Sequence, residues 1–220
     1  MTLHDRLRFR LRRLREDVFL WRWRKKVKAQ HFAHFGKRSL IVQPRGILSR
    51  HRIEIGDGVL IHQGAMFSVV ERFNGRDHEP HLRIGSRTNI GSGVWFSCVG
   101  EIDVGADNLW GHNVLIADSY HEYHDPDTPI IRQPMAWPEP VSIGPGCIIG
   151  PHAAILAGVT VGANSFIAAN AVVTRSVPPN SVVAGNPARV LRHYDRTLGE
   201  WLDGDPAADV AASHEDGASS

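Results

Sequence analysis

Cysteine is scarce: two residues among 220, Cys98 and Cys147, which excludes a disulfide framework and a cysteine-built metal site. Long apolar runs are missing as well. No stretch approaches the ~18 residues that a membrane-crossing helix needs. The first residues are crowded with arginine and no apolar segment follows them, so they do not read as a secretory signal. These absences together point to a reducing, cytoplasmic setting. Between residues 143 and 173 two further things are absent: the 3.6-residue period of a helix and the plain alternation of a strand.

What stands there instead is a period of six. Ile143, Ile149, Ile155, Val161, Ile167 and Val173 follow one another at that spacing without a miss. Two places before each lies a small or β-branched residue: Val141, Cys147, Ala153, Val159, Ser165, Ala171. The residue after is often tiny, as at Gly144, Gly150, Gly162 and Ala168. A repeat this short predicts stacked β coils, because no single unit can bury its own apolar face. The spacing returns upstream at Ile55, Ile61 and Phe67, at Ile84, Ile90 and Phe96, and at Val104, Trp110 and Ile116. Cys147 falls on an inward position and reads as a small core residue. Trp110 also falls inward, where an indole is oversized, so a register slip or a distorted coil is expected there. The small neighbours are expected to let successive coils stack closely, and glycine after the aliphatic residue to serve a strained corner.

The register breaks at Val70–Pro80, by two residues around Gly100, and over Asp118–Pro140. Insertions into a stacked solenoid must bulge outward, and long loops in compact domains are usually functional. The segment Asp118-Ser-Tyr-His-Glu-Tyr-His-Asp-Pro is therefore the first place to seek chemistry.

The net charge of +2 conceals a division. Residues 1–38 hold thirteen of the twenty-five Lys and Arg against three acids. Leu3, Leu7, Leu11, Leu14, Val18 and Trp21 recur every three or four residues there, which predicts a basic amphipathic helix. Such a helix can cap the stack, pack on a neighbouring subunit, or lie on an anionic membrane surface. No base-reading motif accompanies the charge, so nucleic acid is not an expected partner. The expected organisation is the basic helical segment 1–38, a repeat domain over 39–195 with loop 118–140 protruding, and a short helix and disordered tail over 196–220.

The hexads, the loop Ile116-Ala-Asp-Ser-Tyr-His121 and the ending Val177-Pro-Pro-Asn-Ser-Val-Val-Ala-Gly-Asn-Pro-Ala-Arg189 resemble the hexapeptide-repeat acyltransferases. The likeness covers roughly residues 50–195 and is greatest to maltose, galactoside and capsular-polysaccharide O-acetyltransferases. It implies an all-β solenoid, a left-handed parallel β-helix, against the usual right-handed crossover. It also implies homotrimers with sites between subunits. Acetyl-CoA is then the acyl donor, a sugar or glycan hydroxyl the acceptor, and His121 the catalytic base. Matching residue by residue, the implied cofactor contacts are Pro151, Ala169, Thr174, Arg175, Arg189 and Arg192. Arginine suits phosphates because its guanidinium offers forked, charged donors. Pro151 stands where relatives can offer an N–H near the thioester, and proline has none; the His152 amide is the nearest substitute. Tyr120, Tyr123 and Trp137 offer faces for a sugar ring, Asp118 and Glu122 acceptors for its hydroxyls, and His124 competes with His121. Asp118 or Glu122 could also orient the His121 ring.

Relatives on the same scaffold leave other acceptors open: an amino sugar, serine or an antibiotic. A γ-carbonic-anhydrase-like zinc enzyme is the other alternative. It needs three converging histidines, and His62, His112 and His152 sit at different offsets within their hexads, so they are expected to point apart.

Overall fold

The computed structural model describes residues 31–205. The basic helix expected over 1–38 falls outside that range up to residue 30, as does the tail from 206; residues 31–38 already contribute to the first coil. That coil is β1 (His34–Phe35), β2 (Leu40–Ile41) and β3 (Gly46–Ile47). The second is β4 (Ile53–Ile55), β5 (Leu60–Ile61) and β6 (Met66–Val69). A hairpin, β7 (Arg72–Phe73) and β8 (Arg76–Asp77), interrupts the winding. The third coil follows with β9 (His81–Ile84), β10 (Asn89–Ile90) and β11 (Trp95–Cys98). The fourth is β12 (Glu101–Val104), β13 (Leu109–Trp110) and β14 (Leu115–Ala117). After residues 118–140 come β15 (Val141–Ile143), β16 (Ile148–Ile149) and β17 (Ala154–Ile155). The last full coil is β18 (Thr160–Val161), β19 (Phe166–Ile167) and β20 (Val172–Val173).

Each coil gives one strand to each of three parallel sheets, and the wind is that of a left-handed β-helix. The first face is β1-β4-β9-β12-β15-β18 and the third is β3-β6-β11-β14-β17-β20. The second continues from β19 into β21 (Ser181–Gly185), β22 (Ala188–Asp195) and β23 (Glu200–Asp203), the last two pairings antiparallel.

The hexad residues fill the interior. Ile143, Ile149, Ile155, Val161, Ile167 and Val173 are buried, and so are the residues two places before each. Each large aliphatic gains on the order of 1.5–3 kcal/mol by leaving water. Trp110 keeps the register, facing Ile90 on one side and Ile149 on the other. Its indole is 2% exposed and lies 5.8 Å from the Phe96 ring, which stacks on Phe67 at 5.2 Å. An aromatic column runs through the core where a register slip or a distorted coil was expected, and the register holds.

The corners differ from expectation in an instructive way. Gly144, Gly150 and Gly162 have no positive φ. A Cβ on Gly144 would come within 2.6 Å of the Ala163 nitrogen in the next coil, so these glycines serve close stacking. The left-handed conformation falls two residues later. Arg38, Gly58, Arg87, Asp107, Gly146, Asn164 and Asn180 form one corner column with φ between 55 and 73°.

Of the segment expected to hold a short helix, residues 196–205 are described, and they form a turn and β23. Asp195 accepts the N–H groups of Thr197 (2.7 Å) and Leu198 (3.0 Å), turning the chain back. Tyr194 and Trp201 then face each other across β22–β23, rings 5.6 Å apart.

Candidate active site

The segment 118–140 leaves the third face at the end of β14 and returns to the first face at β15. Its two limbs pair antiparallel. Ala136 N–H donates to the Tyr120 carbonyl (2.9 Å), Glu122 N–H donates to the Pro134 carbonyl (3.0 Å), and His121 lies opposite Met135. At the far end the buried Gln133 amide donates to the carbonyls of Asp125 (2.9 Å) and Thr128 (2.7 Å). The loop is thus closed on itself by backbone pairing and by the Gln133 side-chain amide, as a protruding segment must be if its buried polar atoms are to be paired.

Asp118 sits at the root of this loop and is 0% exposed. Its carboxylate accepts Val99 N–H (2.9 and 3.1 Å) and Gly100 N–H (2.7 Å). Those donors belong to the two-residue register slip between β11 and β12, so the carboxylate fills the gap in the ladder. Burial raises its pKa, an effect the two backbone donors oppose. The sequence reading gave Asp118 to an acceptor hydroxyl or to the His121 ring; it is fully buried and both its oxygens accept backbone N–H groups, so here it fixes backbone.

His121 is exposed. Its ring meets Phe73 of the β7–β8 hairpin, centroids 5.2 Å apart and planes at 70°. Glu122, half-buried, approaches His124 at 3.6 Å and not His121. Tyr120, Tyr123 and His124 form an exposed ring cluster with centroid separations of 6.1 and 4.6 Å. Trp137 is 72% exposed and carries the Arg76 guanidinium 4.8 Å above its ring. The structure therefore brings most of the residues singled out in this loop onto one protrusion.

It also adds residues the repeat pattern did not flag. Asn74 donates to the carbonyls of Ile131 (3.2 Å) and Gln133 (3.1 Å), and Arg76 donates to that of Met135 (2.9 Å). The two insertions are one structure. The signal was present: Asn74-Gly75 is the turn dipeptide of a two-residue hairpin, and both residues have positive φ.

The residues matched to the cofactor fall into two groups. Arg175 and Arg189 line one open cleft beside Val183 and Ala188. The cleft opens at the C-terminal end of the stack, lined by inward residues of the third (Val173), first (Val177) and second (Val183) faces. The chain leaves β20 there, two coils beyond the point where the His121 loop leaves β14, about 10 Å along the axis at ~4.8 Å per coil. Thr174 precedes Arg175 and is exposed. Arg192 is drawn off to Asp203 (2.9 Å). Pro151 and Ala169 hold equivalent places at the corner between the second and third faces, two residues past the paired Ile149 and Ile167.

The His152 amide donates to the His112 carbonyl (2.9 Å), so it is not a spare donor for an oxyanion. His112 and His152, expected to diverge, meet edge to face at 5.1 Å. Among the described residues no three His, Cys, Asp or Glu side chains gather into a metal-ligand set. No described helix is long and apolar enough to cross a membrane.

Comparison with known proteins adds to this geometry. Residues 140–175 match the family described as bacterial transferase hexapeptide (six repeats). A protein named a probable acetyltransferase of Mycobacterium tuberculosis is 29% identical over 156 residues, 67% of this chain and 52% of its own length. The chain thus spans about half of that relative. The galactoside O-acetyltransferase of Escherichia coli is 30% identical over 148 residues, 58% of this chain and 71% of its own. Among solved structures, an N-acyltransferase mutant of Bacillus cereus, in complex with dTDP and coenzyme A, is similar in fold. Its TM-score is 0.62 at 18% identity, covering 87% of this chain and 94% of that one.

Proposed function

The chain belongs to the bacterial hexapeptide-repeat transferases, and from that premise we propose that it is an acetyl-CoA-dependent O-acetyltransferase acting on a sugar or glycan hydroxyl. The observation that carries the reading is an exposed His121 imidazole on the loop that leaves the third face at β14, with the Arg175–Arg189 cleft opening where the chain leaves the same face at β20.

An alcohol is too weak an acid to attack a thioester unaided. The His121 imidazole takes the hydroxyl proton as the oxygen bonds to the acyl carbon. The carbon–sulfur bond then breaks, and the imidazolium returns the proton to the departing thiolate. Arg175 and Arg189 hold the anionic end of the donor. Arg192, tied to Asp203, contributes less. Tyr120, Tyr123 and Trp137 offer stacking faces to the acceptor ring, and the half-buried Glu122 offers it an acceptor.

The second face of the prism carries exposed Leu109, Ile148 and Phe166 in one paired column. That column supports a homotrimer in which a neighbouring subunit walls the donor groove. The names of the mycobacterial and E. coli relatives support acetyl transfer, and the bound coenzyme A of the B. cereus protein supports the donor class.

The test incubates the purified chain with acetyl-CoA and a panel of saccharides, nucleotide sugars, amino acids and antibiotics, reading free thiol. His121→Ala should abolish thiol release while acetyl-CoA binding by calorimetry is retained; near-normal turnover would remove the proposed base. Replacing Arg175 and Arg189 together by Ala should raise the KM for acetyl-CoA at least about tenfold, from the strength of charged hydrogen bonds, and leave that for the acceptor unchanged.

A further inference from the structure

A general base must hold its nitrogen within about 3 Å of the proton it removes, and an error near 1 Å costs on the order of a hundredfold. An imidazole base is ordinarily oriented by a third group that hydrogen-bonds its other nitrogen. Among the described residues His121 has no such partner: the contact its ring makes is with Phe73. The neighbours that sequence put forward for the task are committed elsewhere, Asp118 to Val99 and Gly100, Glu122 toward His124.

Phe73 is itself firmly held. At the base of its hairpin, Glu71 pairs with Arg52 and with His51, each at 3.1 Å, and its carbonyl accepts His78 N–H at 2.8 Å. At the tip, Asn74 grips two carbonyls of the returning limb, at Ile131 and Gln133. Arg76 grips the carbonyl of Met135, the residue opposite His121, and stacks on Trp137. The His121 backbone is thereby fixed from one side and its ring from the other by a single element of six residues.

We infer that the β7–β8 hairpin is a positioning clamp for the catalytic imidazole, with Phe73 setting the ring and Asn74 and Arg76 setting the limb opposite it. The inference rests on the reading of His121 as the base. It assigns to Phe73 a positioning role, exerted through His121 and not by contact with either substrate. It also explains why an insertion between the second and third coils is present: it reaches past one full coil to meet a loop that leaves the fourth.

The experiment compares Phe73→Ala, Phe73→Tyr, Arg76→Ala and His121→Ala in the full chain. Steady-state kinetics use whichever acceptor the panel identifies, and NMR of histidine-labelled protein follows the His121 ring protons, assigned by their loss in His121→Ala. Phe73→Ala should lower kcat about 10- to 100-fold, leave the KM for acetyl-CoA unchanged, and move the His121 ring resonances as the neighbouring ring current is lost. Phe73→Tyr should recover at least half of kcat. Arg76→Ala should lower kcat in the same direction without changing acetyl-CoA binding.

A Phe73→Ala enzyme with kcat within twofold of wild type, or with unmoved His121 resonances, overturns the clamp. If His121→Ala is inactive while Phe73→Ala is normal, the clamp alone fails. If His121→Ala itself turns over, the base reading fails, and the ring resonances still report whether Phe73 holds the imidazole. A loss of acetyl-CoA binding in Phe73→Ala, with folding intact by thermal melt, also counts against a role confined to His121.

Discussion

At the scale of single residues, Asp118 shows how a carboxylate beside a proposed base can be structural. It is buried and its oxygens accept the amides of Val99 and Gly100. Asp118→Ala strands two N–H groups, buried at Val99 and part-buried at Gly100, and a loss of about 1–3 kcal/mol is expected, read by urea unfolding. The pH dependence has a definite sign. Burial holds the Asp118 pKa above its ordinary 3.8, so between those two values the folded chain binds more proton than the unfolded one. This group therefore makes stability fall as pH rises through that window and then level off. Asp118→Asn should flatten the decline in unfolding experiments run from acid toward neutral pH; an unchanged slope would place the carboxylate in water. The buried Cys98 beside it, its thiol pKa raised by desolvation and by the Asp118 charge, should resist thiol reagents until the chain unfolds. Sequence could not separate a backbone pin from a ligand at position 118, because the amides it binds lie 18 and 19 residues earlier and carry no side-chain signature. His121 was readable only through its place after a hexad, and Phe73 not at all, since nothing local marks a phenylalanine as the neighbour of a histidine 48 positions away.

At the scale of elements, the six-residue period was legible because each inward position is read twice, once by burial and again by the strand stacked on it. The role of the following glycine was misassigned for a physical reason: close approach and positive φ both select glycine, and one sequence cannot tell them apart. The two causes separate by mutation. Gly144→Ala sets a Cβ 2.6 Å from the Ala163 nitrogen and 2.8 Å from its Cα, backbone that cannot step aside. A cost at the upper end for overpacking, about 3 kcal/mol, is expected. Gly58→Ala keeps a positive φ of 67° but meets only the end of open space, its nearest neighbour being Arg87 Cγ at 3.9 Å. There only the left-handed penalty applies, about 1–2 kcal/mol. Thermal unfolding of the pair should show the larger drop for Gly144→Ala. Equal drops would mean that adjacent coils can part locally. The hairpin of residues 72–77 belongs to the same lesson, for an insertion appears in sequence as a missing period while its destination, the limb 131–137, is set by tertiary packing.

At the scale of the whole molecule, stacking makes the fold nearly one-dimensional. The first and third faces run strand on strand through all six coils, so each coil is stabilised by the two beside it and hardly by any other. The core is not uniform along that axis. Phe67, Phe96 and Trp110 occupy the second to fourth coils, and the insertions that carry His121 and Phe73 leave from the same region. The proposed base is thus mounted on the bulkiest part of the interior. Ile149 lies in the fifth coil, directly between Trp110 and Ile167. Truncating Ile149 to Ala should cost about 2–5 kcal/mol, and the cost should spread unevenly. Amide hydrogen exchange should quicken most at the strands of Trp110 and Ile167 and least at β2, three coils from Trp110. Val173→Ala, in the last full coil, has a stacked strand on one side only and should loosen the C-terminal end while leaving the second coil protected. Uniform acceleration from β2 to β19 in either variant would show that the stack opens as one cooperative unit. In that case the rigidity of the His121 mounting would depend on the whole prism and not on the coils next to it.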